Sequence, residues 1–319
     1  MRAVTIVQCG QPPVVVDRPE PAPGDGEVSV SLTAAPITPL DLLCASGTSY
    51  FGVPALPYVP GVQGVGTLAD GTTVWFPTSA GMRPGDGSMA ERAVVPAADV
   101  VTLPDGVDPR LVAALGLSAV AAWKALTWRG ELRTGEQVLV LGGGGIVGQV
   151  ALQVARLHGA RRVVAACRSQ AAQERARRLG ADAVVPLDDN DDVAALAKRL
   201  RDALDGPLEL VLDPLFGIPA AAALRVLAPH GRLVNLGSSA AETAPIDSAT
   251  LRSGSLRVLG YTNNELSAAE KGATMRLIAD HALAGRLTVD HLEVPMADVA
   301  EAWTTQVDGR ATRRLVLVP

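Results

Sequence analysis

Val138-Leu139-Val140-Leu141 runs into four consecutive glycines, Gly142 to Gly145, and then into Ile146-Val147-Gly148. The spacing Gly143-x-Gly145-x-x-Gly148 suits a tight turn whose backbone N–H groups approach an anion and whose following helix sits close to the preceding strand. A helix opening at Ile146 aims its positive end at that anion. The chemistry implied is the handling of a dinucleotide pyrophosphate, with Gly143, Gly145, Ile146, Val147 and Gly148 as candidate contacts.

The next strand bears on which dinucleotide. An NAD site usually carries an acid at the strand end, accepting from the ribose 2′-hydroxyl. Here the strand reads Val163-Val164-Ala165-Ala166-Cys167-Arg168-Ser169, without an acid. Arg168 can instead pair with a 2′-phosphate, with Ser169 adding a hydroxyl. NADPH is therefore expected over NADH.

Elements must position these residues. From Gln137 onward the pattern predicts strands at 137–142, 162–167, 183–186, 208–213, 231–237 and 256–260. Helices are expected between them at 146–158, 170–179, 191–204 and 217–227. Such alternation builds an α/β, doubly wound parallel sheet of the Rossmann type. Residues 1–100 read differently, as short strands such as Val28–Leu32, Val74–Phe76 and Ala93–Val95 cut by Pro and Gly turns. A helix starting near Asp108 links the two regions, and a helix near 267–284 with strands near 290–294 and 313–318 closes the chain. The closing run Arg314–Val318 is expected to return to the first region.

The chain has 319 residues, 48% of them apolar, enough for two domains. A net charge of −5 and only 3% aromatics argue against nucleic-acid binding. No apolar run reaches the roughly 18–20 residues that span a bilayer, and residues 1–10 lack the form of a signal peptide. Cys9, Cys44 and Cys167 form neither a disulfide framework nor a metal knuckle. A cytoplasmic location follows as the expectation. Arg175, Arg177 and Arg178 read as a solvated helix face, and Asp188-Asp189-Asn190-Asp191-Asp192 as the acidic start of a helix.

The ordered landmarks resemble the medium-chain dehydrogenase/reductase superfamily, in its zinc-free quinone oxidoreductase and enoyl reductase branch. Ala35-Pro36-Ile37-Thr38-Pro39-Leu40-Asp41 is similar to the family's A-x-G-x-N-x-x-D segment. Leu56 to Gly66 is similar to L-P-x-x-P-G-x-E-x-x-G, Gly87-Ser88-Met89-Ala90-Glu91 to G-S-x-A-E, and Gly116-Leu117-Ser118-Ala119 to G-L-T-A. Ala181–Val184, Leu212-Asp213-Pro214 and Gly231–Gly237 match later landmarks. The resemblance implies a discontinuous, mainly β GroES-like catalytic domain over 1–115, a Rossmann NADP-binding domain over 116–260 and a return to the catalytic domain over 261–319.

Zinc-dependent relatives place Cys where this chain has Thr38, and His-Glu where it has Val62-Gln63. The thiolate and imidazole set is missing, so no metal is expected. The resemblance then implies hydride transfer from NADPH to a quinone or to the β-carbon of an α,β-unsaturated carbonyl. Without zinc, the developing charge must be met by hydrogen-bond donors and a proton. Tyr50 is the candidate donor, and Thr38 a candidate for orienting substrate or nicotinamide. Ser118, Asn235, Leu236, Gly237 and Tyr261 are the remaining expected cofactor contacts. Asp41 reads as a capping carboxylate rather than an acid, and Cys44 as a packing residue. Two alternatives stay open: a C=N reductase of a biosynthetic route, and a non-catalytic NADPH-binding protein. Relatives often dimerise through the sheet edge, here Leu256–Leu259, so a homodimer is expected.

Overall fold

The computed structural model describes residues 1–319. They divide into two units, Met1–Leu117 with Leu266–Pro319, and Ser118–Glu265.

The first unit is mainly β. Its amino-terminal part holds β1 (Arg2–Thr5), β2 (Val14–Asp17), β3 (Glu27–Pro36), α1 (Pro39–Ser46), β4 (Gln63–Thr67), β5 (Thr73–Pro77), β6 (Arg92–Pro96) and β7 (Val101–Thr102). Strand β3 pairs antiparallel with both β4 and β6, and β5 continues the sheet from β4. Residues Ile6, Ile37, Met89 and Leu317 fill its core with no measurable exposure.

Helix α2 (Pro109–Lys124) begins after Asp108, whose carboxylate accepts from the Arg110 N–H at 2.9 Å. With the turns after it, Pro109–Arg129 is long and apolar enough to cross a membrane, contrary to the expectation that no segment would be. It is not one continuous helix. Gly116 at φ 37°, ψ −140° breaks it, and 61% of its apolar window is buried inside the protein. A broken, mostly buried apolar helix is what a core element looks like.

The second unit alternates strand and helix: β8 (Gln137–Leu141), α3 (Ile146–Leu157), β9 (Arg162–Cys167), α4 (Gln170–Arg178), β10 (Ala183–Pro186), α5 (Val193–Ala203), β11 (Leu210–Asp213), α6 (Gly217–Leu224), β12 (Arg232–Asn235), α7 (Ser248–Gly254) and β13 (Arg257–Gly260). All pairings are parallel, in the order β10-β9-β8-β11-β12-β13. Val138–Leu141 are fully buried, as a central strand covered on both faces requires. Counted along the unit the order is 3-2-1-4-5-6, so the topological switch lies between β8 and β11. Open parallel sheets bind ligands outside the strand ends at such a point.

The chain then returns to the first unit. Helix α8 (Ala268–Leu283) starts with a Ser267/Glu270 capping box, and β14 (His291–Pro295), α9 (Val299–Val307) and β15 (Arg314–Val318) follow. As expected from its sequence, the closing strand joins the amino-terminal sheet, with Leu317 opposite Ala35.

Candidate active site

The glycine loop leaves β8 at the switch point. Gly142 sits at φ +65°, a conformation that favours glycine. A Cβ on Gly142 would lie 3.0 Å from Leu215 Cδ2, so the loop rests against the turn after β11. A Cβ on Gly143 would press on Ala165 and Cys167, one on Gly144 would collide with Ala172, and one on Gly148 would collide with the Gly142 carbonyl. Packing within the unit therefore accounts for four of these glycines. Gly145 differs: its Cβ would meet only the Gly142 oxygen at 3.6 Å, an ordinary contact. Gly145 is also the N-cap of α3 and supplies no side-chain cap. The first turn of α3 thus begins at an exposed residue without a side-chain cap, which leaves its N–H groups to an anion, and the loop fits a dinucleotide.

Two residues that the sequence did not single out for the site brace this loop. Gln149 is 1% exposed and donates from Nε2 to the Gly144 carbonyl at 2.9 Å. Arg175 reaches the same oxygen from Nη1 at 3.4 Å. Arg175 is buried, which corrects its expected place on a solvated face. The lone polar residue Gln149 within the apolar run Ile146–Leu152 was the available signal. Arg175 gave none, because its partner lies on another element.

At the end of β9, Arg168 is exposed, and its Nη2 lies 3.2 Å from Asp189 Oδ1. The Ser169 hydroxyl caps α4, accepting from the Ala172 N–H at 3.2 Å. Arg168 and Leu187 border a cavity of about 160 Å³ whose other walls include Asp189, Leu215, Ile218 and Ala240.

At the end of β12, the Asn235 carboxamide is taken up by its neighbours. Its Nδ2 donates to Asp213 Oδ2 at 3.0 Å and to the Gly237 carbonyl at 2.8 Å. The Leu236 N–H donates to the Asp213 carbonyl at 3.0 Å, and Gly237 packs on Pro214. Asp213 is fully buried and also accepts from the Leu215 and Phe216 N–H groups. Burial pushes its pKa up against those hydrogen bonds. Tyr261 is held from its N–H by the Asn235 carbonyl at 2.9 Å, and its hydroxyl donates to Asn263 at 2.7 Å. Burial and the nearby Glu265 raise the Tyr261 pKa, so the phenol stays protonated. Ser118 lies two positions past the Gly116 break in α2.

In the first unit, Thr38 and Asp41 form a capping box on α1. The Thr38 hydroxyl donates to Asp41 Oδ2 at 2.6 Å, and Asp41 Oδ1 accepts from Gly61 and Val62 N–H at 3.1 and 2.9 Å. The Thr38 proton is thus spent on the cap. Asp41 is the structural carboxylate its place suggested, with a pKa raised by burial. Arg314 Nη1 donates to the Ile37 carbonyl at 2.9 Å and fixes the entry to this segment. Gln63 accepts through Oε1 from Trp75 Nε1 at 3.1 Å and from the Leu117 N–H at 2.7 Å. A Cβ on Gly116 would collide with Gln63, which ties the break in α2 to this carboxamide. Tyr50 lies on the turn after α1, 77% exposed, its ring 4.3 Å from that of Phe51. Cys44 is buried, and burial and then the Asp41 charge push its thiol up to about 11, which suits packing rather than nucleophilic attack. No three His, Cys, Asp or Glu side chains group as a metal site would.

A parallel six-stranded sheet with a glycine loop at its switch point is the doubly wound architecture that hosts dinucleotides, and a mixed β unit accompanies it in the same chain. The zinc-binding dehydrogenase family model matches residues 147–280, a stretch that contains none of positions 38, 62 and 63. A quinone oxidoreductase from Thermus thermophilus, whose structure was solved also in complex with NADPH, is 30% identical, with full coverage of both chains and a TM-score of 0.84. A mycobacterial quinone oxidoreductase is 25% identical over the full length of both chains, with a TM-score of 0.87. The human quinone oxidoreductase is 26% identical over an alignment 333 positions long, covering 100% of this chain and 98% of that protein. The chain belongs to the medium-chain dehydrogenase/reductase superfamily, in its quinone oxidoreductase branch.

Proposed function

We propose that this protein is an NADPH-dependent, zinc-independent reductase of quinones or of activated C=C bonds in α,β-unsaturated carbonyls. The observation that carries the reading is Gly145, whose missing Cβ no neighbour in the chain requires, at the open end of α3. Ile146 and Val147 offer their N–H groups to the pyrophosphate there, and Arg168 takes the 2′-phosphate. Ser169 stands beside it at the start of α4. Asn235, Leu236 and Gly237 shape the strand ends under the nicotinamide, with Ser118 and Tyr261 as its further contacts. In this reading Ser118–Glu265 is the cofactor unit, and the other unit supplies catalysis.

NADPH, when bound, supplies the hydride. The protein's part is to hold it, orient the acceptor and deliver a proton. Tyr50 is the proposed donor, since a phenol hydroxyl can protonate the carbon or oxygen left negative by hydride addition. Thr38 serves by positioning: its hydroxyl fixes Asp41, and Asp41 fixes the Gly61-Val62 turn. The exposed edge strand β13, with Val258 43% exposed, suits pairing with a second copy in a homodimer.

NADPH oxidation with a panel of acceptors tests the function. Turnover of an ortho-naphthoquinone or a conjugated enone, unaffected by chelators, is expected. Turnover of cyclic imines alone would make the protein a C=N reductase. Tight NADPH binding without turnover on any acceptor would make it a non-catalytic binding protein, and stoichiometric zinc would overturn the metal-free mechanism.

A further inference from the structure

We propose that Asp189 sets how strongly the protein prefers a 2′-phosphorylated dinucleotide, by competing with that phosphate for Arg168. The inference rests on the NADPH reading above and names a residue that works against it.

Four acids crowd the segment between β10 and α5, and three have local duties. Asp188 Oδ1 accepts from the Asn190 N–H at 2.8 Å, closing the turn. Asp191 accepts from the Asp188 N–H at 2.9 Å and pairs with Arg199 at 2.6 Å. Asp192 caps α5 by accepting from the Ala195 N–H at 2.7 Å. Asp189 has no such duty. Its polar partner is Arg168, 3.2 Å away, and the two side chains are 76% and 68% exposed. Both border the same cavity of about 160 Å³.

An ion pair this exposed adds little to stability, so its partner is readily exchanged. A phosphate arriving at Arg168 must displace the Asp189 carboxylate or accept a like charge beside it. Either outcome weakens NADPH. NADH, which brings a hydroxyl to the same place, bears neither cost.

Equilibrium titration of the full-length protein with NADPH and with NADH tests this in Asp189→Asn, Arg168→Ala and the double variant. Asp189→Asn should tighten NADPH about threefold to tenfold and move NADH less than twofold. The gain should shrink at high salt, because exposed charges are screened. It should also shrink in the Arg168→Ala background, since competition for Arg168 then has no object. Thermal stability should not change. Unchanged or weaker NADPH binding in Asp189→Asn, on a wild type that prefers NADPH, overturns the role of Asp189 alone. Weakened NADH binding in that variant overturns it too, and makes Asp189 a ribose ligand. If the wild type does not prefer NADPH and Arg168→Ala changes nothing, the NADPH reading itself fails.

Discussion

Asn235 donates its carboxamide to the buried Asp213 carboxylate at 3.0 Å, tying the C-terminal end of β12 to that of β11. The same carboxylate orders the next turn through the Leu215 and Phe216 N–H groups. Phe216 is held there at φ 58°, ψ −160°, a region ordinarily left to glycine. Backbone strain at the ligand-binding edge of a parallel sheet is therefore maintained by one buried acid and its donors.

Removing a donor from that acid should be costly and pH-dependent. Burial raises the Asp213 pKa, so its share of stability is fully present below the ordinary value of 3.8 and is lost as pH rises through the folded value. Asn235→Ala pushes the folded value higher still. Urea unfolding should show a loss of about 1–3 kcal/mol at neutral pH that narrows in acid. An equal loss at every pH would contradict this role for Asn235.

The pair Glu136–Arg232 should behave in the opposite sense. Burial works against the Glu136 charge, but two Arg232 contacts at 2.7 Å and the Arg133 N–H outweigh it and hold the pKa below the usual range. The stability it confers is fully present above the ordinary value of 4.5 and is lost as pH falls through the depressed folded value. Glu136→Gln should cost about 3–5 kcal/mol near neutral pH, as breaking a buried pair does. Melting curves across the acid range should converge for variant and wild type.

Two glycines of one loop should fail in different ways. Gly148→Ala drives a methyl into the Gly142 carbonyl and should lower the melting temperature by several degrees. Gly145→Ala meets no such obstacle and should fold with stability within about 1 kcal/mol of wild type. It should nonetheless lose tenfold or more in NADPH affinity, measured by titration. A Gly145→Ala protein with unchanged NADPH affinity would remove the pyrophosphate from this loop.

Tyr50→Phe tests the proton donor. Its exposure means that the change should leave the melting temperature alone. Turnover should fall about a hundredfold or more with NADPH affinity unchanged. Unaltered kinetics would assign the donor elsewhere.

The parallel sheet was legible because its strands are buried on both faces and read as unbroken apolar runs, β8 above all. The glycine loop was legible because strand, glycines and helix are contiguous. What escaped lies in pairings distant in sequence. Arg232 meets Glu136 across 96 residues, and Arg175 reaches Gly144 across 31, so neither partner shows in a local pattern. The break at Gly116 was hidden for the same reason: the side chain packed against it, Gln63, lies more than fifty positions earlier. Thr38 was expected, from the family resemblance, to orient substrate or nicotinamide; that its hydroxyl also caps its own helix shows only once Asp41 is seen to turn back onto it.

Hydride transfer to carbon is tested most directly with NADPH carrying deuterium on the transferring face of the nicotinamide, turned over with a conjugated enone. Deuterium at the β-carbon of the saturated ketone, with the carbonyl retained, is the expected result. Deuterium on the carbinol carbon of an allylic alcohol, or a product without label, would contradict it.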